Sequence, residues 1–310
     1  MKNKIKSNSK NLIVTGAGGY LGKHLVNGAL ENGWEVIALI HNNNPFATNR
    51  RGLTVLKWDL ERINEISDIF DDSCIVAHAA AHIPSNYDAP QTADECYKYN
   101  VLGTLQLLQV ANERNISHFV YYSAGNAYAI KNKPAVEEDS LYPSGKAVLY
   151  LSSKIAGEML VNHFSHVWSF PATILRISTP YGPDNSSFVN NMLVSLKNNI
   201  SINLYEGGRH AADFVYVDDI VNATLKSIDR KSTGIFNIGS GVRITLLEVA
   251  NMIVDILNVN KDLINIEHLP GDAIIQGYPA LDCTKARKQW NYSPISFEYG
   301  LRKIIQKDKG

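Results

Sequence analysis

The stretch Leu12-Ile13-Val14-Thr15-Gly16-Ala17-Gly18-Gly19-Tyr20-Leu21-Gly22 decides how this chain folds. A short apolar run leads straight into a glycine cluster. The residues that follow, Leu21, Leu25, Val26, Ala29 and Leu30, recur at helical spacing and stop at Gly33. A buried strand, a glycine turn and an amphipathic helix in that order leave backbone N–H groups at a helix N-terminus. The helix dipole there favours an anion, and glycines let a pyrophosphate come close. The spacing is G-x-x-G-x-x-G through Gly16, Gly19 and Gly22; Leu21 stands where G-x-G-x-x-G would have its third glycine. A tight turn without a ligand is the plainer reading of the glycines alone, and the strand–turn–helix setting favours a dinucleotide.

Outward from this turn, strand signals at 36–40, 74–77, 119–122 and 172–177 alternate with helical patterns, notably 101–114 and 150–164. Such alternation predicts right-handed crossovers and a parallel sheet covered on both faces. After Pro183 the pattern loosens. A helix at 188–197, short strands near 202–204 and 214–217, and a helix at 246–257 predict a smaller mixed lobe, with a ligand cleft against the first. The expected division is a dinucleotide-binding domain at 1–178 and a mainly substrate-binding lobe at 179–310, with segments around 213–240 returning to the first domain.

The 30 basic and 30 acidic side chains cancel, so no overall positive field exists for nucleic acid or an anionic membrane. Hydrophobic residues at 45% and charged residues at 19% describe a globular chain rather than a disordered one. Cys74, Cys96 and Cys283 are too few and too scattered for a disulfide framework or a zinc site, and read as small buried hydrophobes. No His, Asp or Glu spacing suggests a metal centre. Residues 1–10 are basic and polar without a following signal-like stretch, and no run approaches the roughly twenty apolar residues of a membrane helix. A cytoplasmic setting is expected. Residues 303–309 read as a solvated tail.

Further motifs follow in order: Lys57-Trp58-Asp59-Leu60, His78-Ala79-Ala80-Ala81, Asn100-Val101-Leu102-Gly103-Thr104 and Leu175-Arg176 with Tyr181-Gly182-Pro183. The last two are Asp213-Phe214-Val215-Tyr216-Val217-Asp218-Asp219 and Asn237-Ile238-Gly239-Ser240-Gly241. Jointly with the glycine turn, and almost to the C-terminus, they resemble the extended short-chain dehydrogenase/reductases, the NAD-dependent epimerase/dehydratase family. The resemblance implies a Rossmann-type doubly wound parallel sheet with a smaller mixed α/β C-terminal substrate lobe. It also implies a nucleotide-sugar substrate and a homodimer paired through two long helices. For the cofactor it implies the turn residues Gly16, Gly19, Tyr20, Leu21 and Gly22, with Asp59 and Leu60 beside the adenine. Ala79, Ala80 and Ala81 would lie under the cofactor, and Asn100 and Ile177 would line it.

The choice between NAD and NADP turns on the end of the second strand, where a carboxylate would bind a ribose and cations a 2′-phosphate. Ile40 and His41 stand there, Arg50 and Arg51 follow, and nothing acidic lies between Glu35 and Asp59. The lean is towards NADP, with solvated loop charge as the alternative for the arginines.

Tyr150-Leu151-Ser152-Ser153-Lys154 puts a phenol and an ammonium on one helix face. A tyrosine titrating near ~10 needs a shift of about three units, or ~4 kcal/mol, to act near neutrality. A nearby lysine can favour the phenolate by that order. The motif alone is weak, because Tyr142/Lys146 and Tyr299/Lys303 share the spacing. Pro143 and Gly145 interrupt the first of these, and the second lies far from the cofactor half. Tyr150 and Lys154, which would also touch the cofactor, are the catalytic candidates.

The sequence departs from the family at the position that usually supplies a hydroxyl, which holds Ala124. Ser123, one residue earlier and on the opposite strand face unless Gly125 distorts the strand, is a substitute, as is Asn126. The family's diphosphate-binding positions hold Thr179, Ala212 and Leu269; Arg209, Arg176 and Arg243 could compensate. His82 could reach substrate, although it and His78 read more simply as structural. Gly125-Asn126 supplies no carboxylate pair, which disfavours dehydration. The expectation is an NAD(P)-dependent epimerase or reductase of a nucleotide sugar. The alternatives are a ketoreductase of a non-nucleotide substrate and a non-catalytic NADP-sensing regulator.

Overall fold

The computed structural model describes residues 11–47, 49–185, 187–267 and 277–307. The chain begins with β1 (Asn11–Thr15), α1 (Tyr20–Glu31), β2 (Glu35–Ile40), β3 (Leu53–Lys57) and β4 (Ile75–His78). It continues through α2 (Thr92–Tyr97), α3 (Thr104–Glu113), β5 (His118–Ala124), α4 (Val148–Trp168) and β6 (Ala172–Ile177). The remainder carries β7 (Thr179–Tyr181), α5 (Phe188–Lys197), β8 (Ile202–Leu204), β9 (Ala211–Tyr216), α6 (Val217–Asp229) and β10 (Gly234–Ile238). Last come β11 (Arg243–Thr245), α7 (Leu246–Leu257), β12 (Ile264–Ile266), α8 (Thr284–Trp290) and α9 (Phe297–Lys307).

Seven strands form one sheet in the order β10-β6-β5-β4-β1-β2-β3. β1 pairs parallel with both β2 and β4, through Val14↔Ala38 and Val14↔Ala77. The strand order therefore reverses at β1 and β4. This Rossmann-type switch point leaves a crevice at the C-terminal ends of those two strands. Leu12, Ile13 and Val14 are wholly buried, as are Val76, Ala77, Phe119 and Val120. The near-continuous apolar runs follow from a sheet packed on both faces.

Two compact units share the chain. One comprises the chain up to Ser123, Ser152–Ile174 and Thr224–Gly234; the other comprises Ala124–Leu151, Leu175–Ala223 and the chain from Ile235. The first unit holds β1 to β4 and most of β5, with α1 burying Leu25, Val26 and Ala29. The second has a core of Tyr181, Leu193, Leu196, Phe214, Ile253 and Leu301 among others. Its small sheets run β11-β9-β7 and β12-β8.

Three local expectations are corrected. The helical pattern at 101–114 starts at Thr92, and α2 and α3 are joined by a π-helical stretch, Lys98–Gly103. Val217 opens α6 rather than closing a strand, with Asp218 and Asp219 in its first turn, where the dipole favours them. The expected tail from Lys303 is helical to Lys307. α9 buries Leu301, Ile304 and Ile305, so its lysines belong to the polar face of an amphipathic helix. The N-terminal residues 1–10 and Leu269 lie outside the described residues. Among the described residues, no helix is long and apolar enough to cross a membrane.

Candidate cofactor and active site

The glycine turn is shaped by contacts that tolerate no side chain. Gly16 has φ +66°, and a Cβ there would lie 2.6 Å from the Ala80 backbone. At Gly22 a Cβ would lie 2.2 Å from the Gly16 carbonyl oxygen, which instead accepts the Gly19 N–H at 2.9 Å. Gly19 stands at the N-cap of α1 and brings no side chain to the helix N-terminus that opens at Tyr20 and Leu21. A pyrophosphate fits such a cradle: it is anionic, the helix dipole favours it, and the glycines permit close backbone approach.

Across the switch point, β4 delivers the Ala79-Ala80-Ala81 segment. The Ala80 N–H donates to Thr15 Oγ1 at 3.2 Å, tying the segment to β1. His78 Nδ1 lies 2.7 Å from Thr15 Oγ1, and its Nε2 lies 3.0 Å from Thr104 Oγ1. Burial, reinforced by the Lys154 charge, pulls the His78 pKa down to about 3. A neutral imidazole fixed at both nitrogens is a structural crosslink. Asn100, in the π-helical stretch, takes the His82 N–H on its Oδ1 at 2.6 Å. Its Nδ2 donates to the His82 carbonyl at 3.0 Å and to Ser153 Oγ at 2.9 Å. Asn100 is therefore corrected from a cofactor contact to a clamp on the segment that ends at His82. His82 itself points its Nε2 to within 3.2 Å of Glu95 Oε2.

At the C-terminal end of β2, His41 lies 3.5 Å from Asp59, and Leu60 packs against Gly103, where a Cβ would come within 3.0 Å of it. Arg50 is elsewhere. β2 and β3 are parallel with Val36↔Leu53, so Arg50 and Arg51 precede β3 at the N-terminal edge of the sheet. A five-residue strand separates them, by roughly 16 Å, from the edge where a ribose would bind. Arg50 Nη1 donates instead to Asn27 of α1. Arg50 is withdrawn as a phosphate ligand.

Tyr150 and Lys154 stand one turn apart on α4. Lys154 is only 3% exposed; its Nζ lies 4.3 Å from the Tyr121 ring centroid, and its carbonyl accepts the Tyr121 hydroxyl at 3.1 Å. Gly157 permits this approach, since a Cβ there would meet the Tyr121 oxygen at 2.2 Å. Burial pulls the Lys154 pKa down to about 7, against the opposing pull of Glu158. Of the rival pairs, Tyr142 is 70% exposed, and Tyr299/Lys303 lies on α9 with Lys303 bonded to Asp218.

Ser123 is corrected as the substrate hydroxyl. It keeps its strand orientation and donates to Glu158 Oε2 at 2.6 Å, with both residues buried. Glu158 and Tyr121, which the sequence reading did not single out, join the surroundings of Lys154. The signal was present: Glu158 continues the four-residue step of Tyr150 and Lys154 on a helix otherwise rich in apolar residues.

Within the second unit, β5 ends at Ala124 and a 3-10 turn, Gly125–Ala127, follows. Asn126 Nδ2 donates to Thr179 Oγ1 at 3.2 Å, bringing two predicted substrate residues together. Ile177 ends β6 and is buried. Arg176 is not available to a phosphate: it donates to the Tyr128 hydroxyl at 2.6 Å and to the Glu137 carbonyl at 2.8 Å. Arg209 is exposed, and Arg243 Nε donates to the Tyr278 carbonyl at 2.9 Å.

The model of the NAD dependent epimerase/dehydratase family matches residues 12–239. The chain belongs to that family. Over 97% of its length it is 28% identical to UDP-glucuronate 4-epimerase 1 of Arabidopsis thaliana, of which the match covers 77%. The UDP-glucose 4-epimerase of Thermotoga maritima, solved with UDP-glucose, is 25% identical with a TM-score of 0.81, covering 97% of this chain and all of that one, 100%. A UDP-glucuronic acid 4-epimerase of Bacillus cereus was solved with UDP-4-deoxy-4-fluoro-glucuronic acid and NAD. It shares the fold at 21% identity and a TM-score of 0.83, with 96% of this chain and 99% of that one covered. This epimerase/dehydratase chain is thus an enzyme of the extended short-chain dehydrogenase/reductase type. The lean towards NADP finds no support, because the arginines invoked for a 2′-phosphate are at the opposite edge of the sheet.

Proposed function

We propose that this chain is an NAD-dependent epimerase of a nucleoside-diphosphate sugar. The observation that carries the reading is the environment of Lys154: an ammonium sealed against Tyr121, one helical turn from the Tyr150 phenol. Bound NAD would supply the hydride acceptor and donor. Gly16, Gly19 and Gly22 would seat its pyrophosphate, with Ala79 to Ala81 beside it and the His41–Asp59 edge at the adenosine. The Lys154 charge lowers the cost of forming the Tyr150 phenolate. Tyr150 then takes a proton from a substrate hydroxyl and returns it after the sugar has turned. Asn126 and Thr179 supply polar contacts in place of the hydroxyl missing at Ala124. The absence of a carboxylate at Gly125-Asn126 favours epimerisation over dehydration within the family.

Incubation with UDP-glucuronic acid, UDP-glucose and dTDP-glucose, followed by NMR of the sugar products, tests the reading. A C4 epimer is expected from one of them. The Tyr150→Phe protein should bind NAD and turn over roughly 10²–10⁴-fold more slowly. Full turnover by that variant would refute the assignment. The second reading, a ketoreductase of a non-nucleotide carbohydrate, is favoured by Ala212 and by the engagement of Arg176 with Tyr128 and Glu137. It predicts stoichiometric loss of reduced cofactor with a ketone substrate and no epimer.

A homodimer is part of the same proposal. In the first unit, Leu102 (56% exposed), Met159 (67%) and Trp168 (49%) are large apolar side chains left open on the α3 and α4 side. Trp168 also lines a cleft on that side with Leu105, Leu160 and Phe164, a surface suited to the same two helices of a second copy.

A further inference from the structure

We infer that Ser123 and Glu158 are positioning residues: a buried hydrogen-bonded pair that keeps the Lys154 ammonium charged. The inference rests on the Tyr150–Lys154 reading above and assigns that site an electrostatic support drawn from β5 and α4.

The geometry comes from two matched periodicities. Tyr121 and Ser123, two residues apart on β5, face the same way; Lys154 and Glu158, four apart on α4, share a helix face. The two faces meet in register. The Tyr121 hydroxyl donates to the Lys154 carbonyl at 3.1 Å, and Ser123 Oγ donates to Glu158 Oε2 at 2.6 Å. Exposure is 6% for Ser123, 3% for Lys154 and 2% for Glu158, so solvent screens none of these charges effectively.

The groups that face Lys154 divide clearly. His78, from β4, is buried and neutral at ordinary pH and supplies no counter-charge. The Tyr121 ring offers its face at 4.3 Å, a weaker attraction. Tyr150 precedes it by one turn on α4. Glu158 is the anion that opposes the desolvation of the lysine. Ser123 fixes the Glu158 carboxyl group on the face of α4 that carries Lys154, and Glu158 in turn supports the charge on Lys154. A residue needed only for packing between β5 and α4 would be better served by an apolar side chain than by a buried carboxylate.

Two measurements on the cofactor-loaded enzyme test the inference. One is the titration of Lys154 itself, read by pH-dependent competitive acetylation and mass spectrometry of the peptide that carries it. The other is the pH profile of kcat. In Glu158→Gln the Lys154 midpoint should fall by about one unit. Then kcat should drop roughly tenfold at alkaline pH, less at acid pH, with KM little changed. Ser123→Ala should shift both readouts in the same direction by a smaller amount, and Ser123→Thr should restore them. An unmoved Lys154 midpoint in Glu158→Gln and Ser123→Ala overturns the inference, as does a fall in kcat that is uniform across pH. Should Glu158→Gln fail to fold, Ser123→Ala against Ser123→Thr decides alone. If Tyr150→Phe keeps full turnover while the Lys154 midpoint still moves in Glu158→Gln, the catalytic reading fails and the pair's hold on the lysine stands.

Discussion

His78 shows how one buried side chain ties chemistry at the site to the stability of the fold. Its two hydroxyl partners, Thr15 and Thr104, come from β1 and α3, and the neutral ring holds both. Its pKa falls from 6.5 unfolded to about 3 folded, so below about pH 6.5 the unfolded chain binds a proton that the folded chain excludes. The contribution of His78 is therefore complete above that pH and is lost as the pH falls towards 3. The slope approaches ~1.4 kcal/mol per pH unit. Asp219 has the opposite sense: burial raises its pKa to about 6, so it favours the folded state as the pH falls below that value. The difference between wild type and His78→Gln isolates the histidine. Urea unfolding at neutral pH and near pH 5 should show the wild-type advantage shrinking as acid is added; a constant gap would contradict the linkage.

At the scale of elements, the approach of α4 to β5 positions Lys154, and Gly157 permits it. Gly157→Ala puts a methyl 2.2 Å from the Tyr121 oxygen, so the helix must withdraw or the ring must move. Overpacking of this kind costs about 1–3 kcal/mol. A chain of this size should then lose several degrees in Tm, and kcat should fall with it because Lys154 moves. Calorimetry and turnover measured on one preparation check both. Elements like these were legible in the sequence wherever a period was clean: α5, α7 and β6 fall on the predicted residues. The π-helical stretch at Lys98–Gly103 was not, because an extra residue in a helical turn leaves no compositional trace. Arg50 and Arg51 misled for a related reason. Distance along the chain placed them near the cofactor, whereas a parallel strand carried them to the opposite edge. The sequence offers Ser123 as a substitute hydroxyl and leaves its orientation open; its destination is Glu158, 35 residues on, which no local pattern reveals.

For the whole molecule, the first prediction concerns assembly. Replacing Leu102 and Met159 together with glutamate should convert a dimer into a folded monomer, read by light scattering with unchanged far-UV dichroism; a wild-type protein that is itself monomeric removes the proposal. A second consequence follows from the way the units divide the chain. The cofactor-side unit takes residues from the start of the chain, from Ser152–Ile174 and from Thr224–Gly234. A ribosome must therefore release Gly234 before that unit has all its parts, and β1, made first, gains its β4 neighbour only after more than sixty further residues. Fragments cut at any single peptide bond between Ser123 and Gly234 leave that unit broken. Nascent chains arrested before Gly234 should be readily digested by protease, and resistance should arise only once the third segment has emerged.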